Sequence, residues 1–467
     1  MTAIRTLNQN RRAAFLLAVV AFLMVVAALG SSPVPADAQA TPTGPPEGLV
    51  CTTSPNATFS LTTATGIVGT PDDNTIFMWG FAEQGAVFQH PSPVLCVNEG
   101  DTVTVSLTNT LDKDVSIIFP GQENVLANGA PAQPEFNGTT GAMTSLTNTA
   151  AAGGGTMTYS FLASKPGTYL YQSGTDPAKQ ARMGLFGVIV VRPSLGAQFA
   201  YNDPTSEFNT DDEVLVLLSE IDPYLNLAVE VGDYEAFDMN NYVPRYWMIN
   251  GRGFPDSVAD NFASWLPSQP YGALARVYPF DEDEFLADGV TPNPGYSPLP
   301  GLARYVSVGT ETYPFHPHGN NGRVIGRDGN LLRDGGVAVG ADLSFERFSI
   351  PVGPGQTWDV LYQWYDAEGY NGQEFLTDGT TPNPDFNPVT VGIPNFQNVV
   401  YGAFYSGSPY LGTAGDLPVG GEGFNQCGEY YIISHNHALY KITSWGVPMT
   451  GPITYLRIDP PQPNSCS

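Results

Sequence analysis

The chain contains 467 residues and carries 45 Asp and Glu against 18 Lys and Arg, which gives a formal net charge of −27 at pH 7. Binding to a phosphate backbone depends on clustered cations that release counterions, so this charge balance excludes nucleic acid as a main partner. The 51 Gly and 41 Pro divide the sequence into short segments, while 42% hydrophobic residues suffice for large cores. Together these features predict a β-rich globular protein of two or three domains.

The N-terminal segment has the pattern of an export signal. Arg5, Arg11 and Arg12 precede a small and apolar run over residues 13–29, and alternate alanines follow in residues 36–40. This arrangement predicts a signal peptide over residues 1–40 and a secreted or extracytoplasmic protein, in the periplasm or at the cell surface. An uncleaved N-terminal anchor is the alternative, because the apolar run is long for a signal peptide. We expect no membrane span after cleavage.

Four cysteines occur in the sequence: Cys51, Cys96, Cys427 and Cys466. In an oxidising compartment an even number of cysteines usually indicates disulfides, and three pairings are possible. We favour Cys51–Cys96 and Cys427–Cys466, because each bond closes within one predicted domain.

The remaining chain divides into two β-rich regions. Residues 51–193 consist of short alternating segments, such as 101–109 and 184–191, separated by Gly, Pro and Asn, and predict a β-sandwich domain. Residues 194–210 are predicted as a linker. A second β-rich domain is predicted over 211–460, with strand candidates at Glu213–Leu218, Tyr246–Ile249, Arg304–Val308, Thr357–Trp364 and Ile453–Ile458.

Acidic residues concentrate in segments with turn composition. Residues 284–294 and 374–384 resemble each other and contain Asp-Gly and Pro-Asn-Pro, which predicts rigid surface turns, with oxygen ligands for calcium as the alternative. The acidic runs 281–284 and 211–212 are expected in solvated loops, with the positioning of a cation or a general base as the alternative.

Four of the five histidines form two His-x-His pairs: His316 with His318, and His435 with His437. Residues two apart on an extended chain project from the same face, so both rings of a pair can converge on one ion. Neutral imidazole suits copper, zinc, iron or nickel. The alternative is that these are buried histidines hydrogen-bonded to carbonyls. His90, which stands alone, is predicted to be structural.

At these residues a resemblance to a known family becomes specific. The segments on which it rests share the spacing of Gly, Pro, aromatic and His residues with the cupredoxin domains of multicopper oxidases. Residues 313–319, 323–329 and 355–361 resemble the last domain of that family, residues 93–105, 115–122, 166–174 and 182–187 resemble the opening domain, and residues 249–256 resemble the start of the next. The resemblance implies an all-β fold of two cupredoxin-type Greek-key β-sandwich domains, the second enlarged by long loop insertions.

The resemblance also implies that one of the family's copper sites is missing. The type 1 copper of multicopper oxidases is held by His, Cys, His and a weak axial Met. Here the cysteine position falls on Asn436 and the two histidine positions on Tyr313 and Lys441, while Met449 lies near the axial position. A copper–thiolate site needs the sulfur, so no blue copper is expected, and Met449 is interpreted as core filling.

The family's trinuclear cluster is reduced as well. Its first-domain His-x-His positions fall on Ile118, Pro120, Gln172 and Gly174. The surviving ligand positions correspond to one type 2 ligand, His316, and three type 3 ligands, His318, His435 and His437. The resemblance therefore implies one ion held by three or four imidazoles, and no three-copper cluster.

The sequence leads to one hypothesis and two alternatives. The hypothesis is an exported multicopper-oxidase-like protein that binds a single copper ion, or zinc, through His316, His318, His435 and His437, without four-electron oxidase activity. The alternatives are an oxidoreductase with a mononuclear copper site and a metal-free structural pseudoenzyme. Whether the chain is an enzyme is open at this stage, and no catalytic residue is assigned. A small molecule or a metal ion is the expected substrate, and a homotrimer is expected by analogy with two-domain relatives alone.

Overall fold

A computed structural model describes most of the chain that follows the predicted signal peptide. The signal peptide itself, the first repeated turn segment (284–294), the acidic run 281–284 and the Cys427–Cys466 pair lie outside the described residues. No helix among the described residues is long and apolar enough to cross a membrane. The described residues are 45–278, 298–318, 321–335, 339–363, 375–376, 378–384, 405–407, 415–416, 424–425 and 429–459.

Short strands fill the first half of the chain, as its Gly and Pro content predicts. The strands are β1 (Thr58–Gly69), β2 (Thr75–Glu83), β3 (Val94–Asn98), β4 (Thr102–Asn109), β5 (Leu126–Ala127), β6 (Ala130–Pro131), β7 (Glu135–Phe136), β8 (Met143–Ser145), β9 (Gly155–Leu162), β10 (Gly167–Gln172) and β11 (Phe186–Arg192).

These strands form a six-stranded sheet in the order β2-β1-β4-β9-β5-β6 and a three-stranded sheet in the order β10-β11-β3, with β7 and β8 as a separate hairpin. Each sheet mixes antiparallel pairs with one parallel pair, β1 with β4 and β11 with β3. In β4, Val103, Val105 and Leu107 are buried and alternate with more exposed residues. They pack with Phe81 and Tyr171 in one core, because alternate side chains of a strand share a face.

The second half repeats this architecture with more strands. They are β12 (Glu213–Ile221), β13 (Tyr246–Ile249), β14 (Ala275–Val277), β15 (Gly301–Ser307), β16 (Tyr313–Pro317), β17 (Gly322–Arg327), β18 (Asn330–Leu331), β19 (Phe345–Arg347), β20 (Ile350–Val352), β21 (Thr357–Tyr362), β22 (Tyr405–Gly407), β23 (Gly415–Asp416), β24 (Phe424–Asn425), β25 (Tyr430–Asn436), β26 (Thr443–Ser444), β27 (Val447–Pro448) and β28 (Ile453–Ile458).

A nine-stranded sheet runs in the order β18-β17-β21-β15-β12-β13-β26-β27, with β19 paired to β17. A six-stranded sheet runs in the order β14-β28-β25-β16-β20, with β22 paired to β25. Strand β12 is buried along its whole length because it has a core on each face. Val216 faces the core between these two sheets, whereas Leu215 and Leu217 pack with Val94 and Val188 of the first half.

Helices are few and short. Helix α1 covers Pro177–Gln180 and helix α2 covers Pro223–Glu230, where the Asp222 side chain caps the helix by accepting a hydrogen bond from the Tyr224 N–H at 3.0 Å. The fold is therefore all-β, as predicted. Single 3-10 turns lie at Pro204–Ser206, Thr210–Asp212, Tyr234–Ala236, Met239–Asn241, Asp256–Val258 and Leu439–Lys441.

The predicted linker, residues 194–210, is packed against the second half. Tyr201 and Phe208 are buried in a cluster with Leu302 and Ile325. The domain boundaries themselves stay a prediction.

The expectation of a solvated loop at residues 211–212 is wrong for Asp212. This side chain is buried and accepts a hydrogen bond from Arg276 Nε at 3.0 Å. The 3-10 turn that ends at Asp212 directs its carboxylate toward Arg276, whereas Asp211 is exposed.

The Cys51–Cys96 disulfide is present, as predicted. Next to it, the Thr52 N–H donates to the Val94 carbonyl oxygen at 2.7 Å, so the start of the described chain is tied to strand β3.

The described part of the second repeated segment is a turn. The exposed Asp378 carboxylate accepts hydrogen bonds from the N–H groups of Thr380 at 2.9 Å and Thr381 at 2.7 Å. The Thr381 hydroxyl also donates to this carboxylate, and its hydrogen bond, followed by the two N–H bonds, lowers the pKa of Asp378 to about 2. The carboxylate thus stabilises its own turn, which agrees with the turn interpretation of this segment.

Candidate metal centre

Two neighbouring strands carry the histidine pairs. Strand β16 is antiparallel to β25, and in this register His316 lies directly opposite His435. Strand β20 continues the sheet beyond β16, and β28 continues it beyond β25. Since opposed residues of an antiparallel pair point to the same face, the register brings both pairs to one side of the sheet.

The four imidazole rings form one cluster. The ring centroids of His316 and His318 are 4.7 Å apart, those of His316 and His437 are 5.1 Å apart, and those of His318 and His435 are 5.1 Å apart. The ring centroid of His435 lies 5.7 Å from the ring centroids of both His316 and His437. The sequence prediction that these side chains lie close together agrees with this geometry.

Two nitrogens of the cluster already face each other. The Nε2 atoms of His318 and His435 are 3.1 Å apart. Two imidazole nitrogens bound to one ion at about 2.0–2.1 Å are separated by about 3 Å, so an ion can bridge this pair with little movement.

Backbone carbonyl groups orient two of the rings. His435 Nδ1 contacts its neighbour's carbonyl oxygen, that of Asn436, at 2.9 Å. His316 Nδ1 contacts the carbonyl oxygen of Phe348, whose ring also lies edge-on to His316 with centroids 5.6 Å apart. An imidazole that donates from Nδ1 to a carbonyl presents the lone pair of Nε2, which is the tautomer that binds a metal.

Sequence reasoning missed Phe348. Its contribution to the cluster comes through a backbone carbonyl, which every residue carries, so no residue type signals it. The β20 strand next to it could be recognised only once its pairing with β16 was known.

Burial favours the neutral form of His316 and His435. His316, His318 and His435 are 6%, 5% and 3% exposed, whereas His437 is exposed to solvent. Burial lowers the pKa of His435 to about 4 and also lowers the pKa of His316. Neutral imidazole is the form that coordinates metals, so His316 and His435 can bind an ion at neutral pH.

The cluster is not a finished coordination shell. Among the described residues, no group of three or more His, Cys, Asp or Glu side chains is arranged to hold an ion as it stands. The ring distances show that the four imidazoles are neighbours, and the 3.1 Å nitrogen pair has the right spacing for two ligands. A third ligand would have to come from His316 or His437, whose rings lie beside this pair.

His90 has no part in this cluster, in agreement with its interpretation as structural. It is fully buried, and its ring lies edge-on to Phe186 with centroids 5.3 Å apart. Neither ring nitrogen has a hydrogen-bond partner among the described residues. Burial lowers the pKa of His90 to about 4.

The position that the resemblance assigns to type 1 copper holds an ion pair instead. Lys441 is 1% exposed, and its Nζ lies 3.0 Å from Glu311 Oε2 and 4.5 Å from the centroid of the Tyr313 ring. The Asn436 side-chain oxygen accepts the Ala438 N–H at 2.9 Å. Met449 packs against the apolar cluster that contains Ile442. An ammonium group has no lone pair for copper, and the Asn436 amide oxygen already accepts a hydrogen bond. The residues here therefore do not fit that ion.

In the first half, the positions that the resemblance assigns to the missing cluster histidines lie close together. The residues at these positions are not metal ligands. Ile118 and Gln172 form a bridge in which each N–H donates to the carbonyl oxygen of the other, at 2.8 and 3.2 Å. A Cβ atom built on Gly174 would lie 2.7 Å from a methyl carbon of Ile118. A histidine therefore could not occupy position 174 unless Ile118 moved.

Comparisons with known proteins point to one family. Residues 84–195 match the family model for multicopper oxidase. An L-ascorbate oxidase of Cucumis sativus is 29% identical over 193 residues, which is 41% of this chain and 30% of the relative. Copper resistance protein A of Pseudomonas syringae pv. tomato is 25% identical over 294 residues, which is 60% of this chain and 44% of the relative. The chain thus spans less than half of the length of either relative.

The solved structures agree on the fold. The blue copper oxidase from Nitrosomonas europaea superposes with a TM-score of 0.52 at 17% sequence identity and covers 86% of this chain and 85% of its own. At this identity the likeness concerns the fold alone. The segment that matches the family model lies in the first half, whereas all four clustered histidines lie in the second.

Proposed function

We propose that this chain, which is a cupredoxin-like member of the multicopper oxidase family, binds a single copper ion through His316, His318, His435 and His437. Copper is the cofactor that the family implies, and zinc is the competing ion for such a set of imidazoles. We also propose that the chain is not a blue-copper, four-electron oxidase.

One observation carries the proposal. The register of β16 and β25 places His316 opposite His435, and the Nε2 atoms of His318 and His435 lie 3.1 Å apart. When bound, copper would supply a redox-active or Lewis-acidic centre at this face of the sheet. The chain contributes the orientation of the ligands, since the carbonyl groups of Phe348 and Asn436 fix the Nδ1 side of two rings.

The residues at the family's other copper positions do not support four-electron chemistry. Lys441 and Tyr313 stand where a type 1 copper would need ligands, and Ile118 and Gln172 stand where two cluster histidines would be. Reduction of dioxygen to water takes four electrons, and a single ion without an electron-entry site has no store for them.

Metal analysis tests the proposal. The purified mature protein is stripped with a chelator, loaded with copper or zinc, dialysed and analysed, next to His316→Ala/His437→Ala. We expect about one copper per wild-type chain and loss of most of it in the double variant. His90→Ala serves as the control, because His90 lies outside the cluster, and it should retain copper provided that it folds. A wild type that retains neither metal would contradict the proposal.

Exposure of His437 supports a second candidate function, that of an oxidoreductase with a mononuclear copper site. An exposed ligand leaves room for an exogenous molecule to reach the ion, whereas the three buried rings do not. Oxygen uptake with phenols or cuprous ion separates the two candidates, since only an enzyme turns over many times per copper. Uptake that persists in the double variant would contradict both.

We further propose that the mature protein acts outside the cytoplasm. The Cys51–Cys96 disulfide supports this location, because such bonds persist in oxidising compartments. A small molecule or a metal ion remains the proposed substrate. The homotrimer stays a prediction, which sedimentation of the purified protein would test.

A further inference from the structure

A buried cation stands where the family would place its type 1 copper. We infer that the Lys441 ammonium group is the resident cation of this position, and that it ties together the two segments that carry the histidine pairs. The inference concerns charge and packing in the metal-free protein, so it does not depend on copper binding to the histidines.

The surroundings of Lys441 form a complete cation site. Its Nζ donates to the Thr312 carbonyl oxygen at 2.9 Å, lies 3.0 Å from Glu311 Oε2 and stands 4.5 Å above the ring of Tyr313. The side chain is 2% exposed. A carbonyl, a carboxylate and an aromatic face are the groups that stabilise an ammonium ion removed from water.

The Tyr313 side chain is held in place beside Lys441 by burial and by a hydrogen bond. It is fully buried, and its hydroxyl donates to Glu220 Oε2 at 2.9 Å. Burial first, and then the Glu220 carboxylate, raise the pKa of Tyr313 well above its ordinary value, so the phenol stays neutral. A neutral phenol offers an ammonium ion its ring face, whereas it would be a poor ligand for copper.

Lys441 connects two segments that are distant in sequence. Tyr313 opens strand β16, which carries His316, and Thr312 immediately precedes it. Lys441 ends the 3-10 turn that follows His437. The His437 N–H donates to the Pro314 carbonyl oxygen at 2.7 Å, which adds a backbone link between the same segments. The cation therefore stabilises the frame on which both histidine pairs are mounted.

Amine labelling and unfolding of the metal-free protein test the inference. Lys165 is the matched control, because it forms an ion pair with Glu123 at 3.1 Å in which both side chains are more than half exposed. In the folded protein we expect Lys441 to be acetylated more than about tenfold more slowly than Lys165, since acylation needs an accessible free amine. Equal labelling rates of the two amines would overturn the inference.

Charge is tested with a double-mutant cycle. Lys441→Met should lower the equilibrium constant for folding at least about tenfold, whereas Lys165→Met should change it less than about threefold. Glu311→Gln combined with Lys441→Met should cost less than the sum of the single changes, because the two charges interact. Additive effects would show that the lysine acts by shape alone and would overturn the inference.

Should Lys441→Met fail to fold, Glu311→Gln alone decides, because it keeps the lysine and removes only a half-exposed counterion. The acetylation rate of Lys441 should then rise at least about threefold, with Lys165 unchanged. An unchanged Lys441 rate would overturn the inference. Failure of the histidine cluster to retain copper, in contrast, would contradict the proposed function and would not affect these results.

Discussion

Arg304 and Glu213 form an ion pair inside the protein, with Arg304 Nε 2.6 Å from Glu213 Oε1 and the Arg304 side chain fully buried. Glu213 also accepts hydrogen bonds from Arg192 of strand β11, and Arg304 donates to Thr168 of strand β10 at 2.9 Å. The second half thus contributes Arg304 and Glu213, and the first half contributes Arg192 and Thr168. Their contacts join the two halves through charge in addition to the apolar contacts between the sheets.

We expect Arg304→Met to destabilise the protein by about 3–5 kcal/mol. The change leaves the buried Asp359 carboxylate, 3.4 Å from Arg304 Nη1, without its cation, and Glu213 keeps only Arg192. Urea unfolding at pH 7 measures the change. Lys165→Met, which removes an exposed ion pair, should cost less than about 1 kcal/mol. If the two variants lost similar stability, the buried network would contribute no more than a surface pair.

His90 predicts a component of acid instability. Burial lowers its pKa to about 4, from an ordinary value of 6.5. Above pH 6.5 the imidazole is neutral in both states and makes no difference. As the pH falls from 6.5 to 4, the unfolded chain takes up a proton that the folded chain refuses, so stability is lost, by about 3 kcal/mol in total.

The difference in unfolding free energy between wild type and His90→Leu, measured from pH 7.5 to about pH 4, isolates this component. Wild type should lose stability faster than the variant over this range, whatever the offset between them at pH 7.5. Parallel curves would show that His90 takes up its proton equally in both states.

The histidine cluster could be predicted because the relevant information is local. Residues two positions apart on a strand share a face. The His316-Pro317-His318 spacing alone therefore predicts that both rings of that pair point the same way. That β16 pairs with β25 depends on contacts more than a hundred residues apart along the chain. Only the resemblance to a family supplied this pairing in advance.

Other features could not be predicted because they depend on tertiary contacts. Asp212 has the composition of a solvated loop, yet the fold brings Arg276 to it from 64 residues away. The substitution of Lys441 for a copper ligand can be read from the sequence, but its carboxylate partner Glu311 cannot, because surface lysines and glutamates are common. The Phe348 carbonyl leaves no trace in the sequence.

The Cys51–Cys96 bond predicts the effect of reduction. It joins residues 45 apart, and closing a loop of that length in the unfolded chain stabilises the folded state by about 2–4 kcal/mol. Cys51→Ala/Cys96→Ala should lose this amount in urea unfolding under non-reducing conditions. The variant should also be insensitive to reductant at this position, so that any further loss on reduction would come from Cys427 and Cys466. A double variant as stable as wild type would mean that the bond contributes nothing.

Copper binding should weaken in acid, because protons compete with the ion for imidazole nitrogens. His435 has a pKa of about 4, and the pKa of His316 also lies below its ordinary 6.5, both chiefly through burial. These two rings therefore stay available below pH 6.5, and the copper affinity should fall progressively between pH 6.5 and 4. Equilibrium dialysis against a competing chelator of known pH dependence measures the affinity at each pH.

Retention of copper in acid identifies the alternative site. The repeated turn segment offers carboxylates, and the pKa of Asp378 is about 2, so an ion bound there would remain bound at about pH 4.5. Asp378→Asn should leave copper binding unchanged at every pH if the histidines hold the ion. Copper that stays bound at about pH 4.5 in wild type, and is lost in Asp378→Asn, would assign the ion to the acidic turn, since a carboxylate keeps its charge where an imidazole takes up a proton.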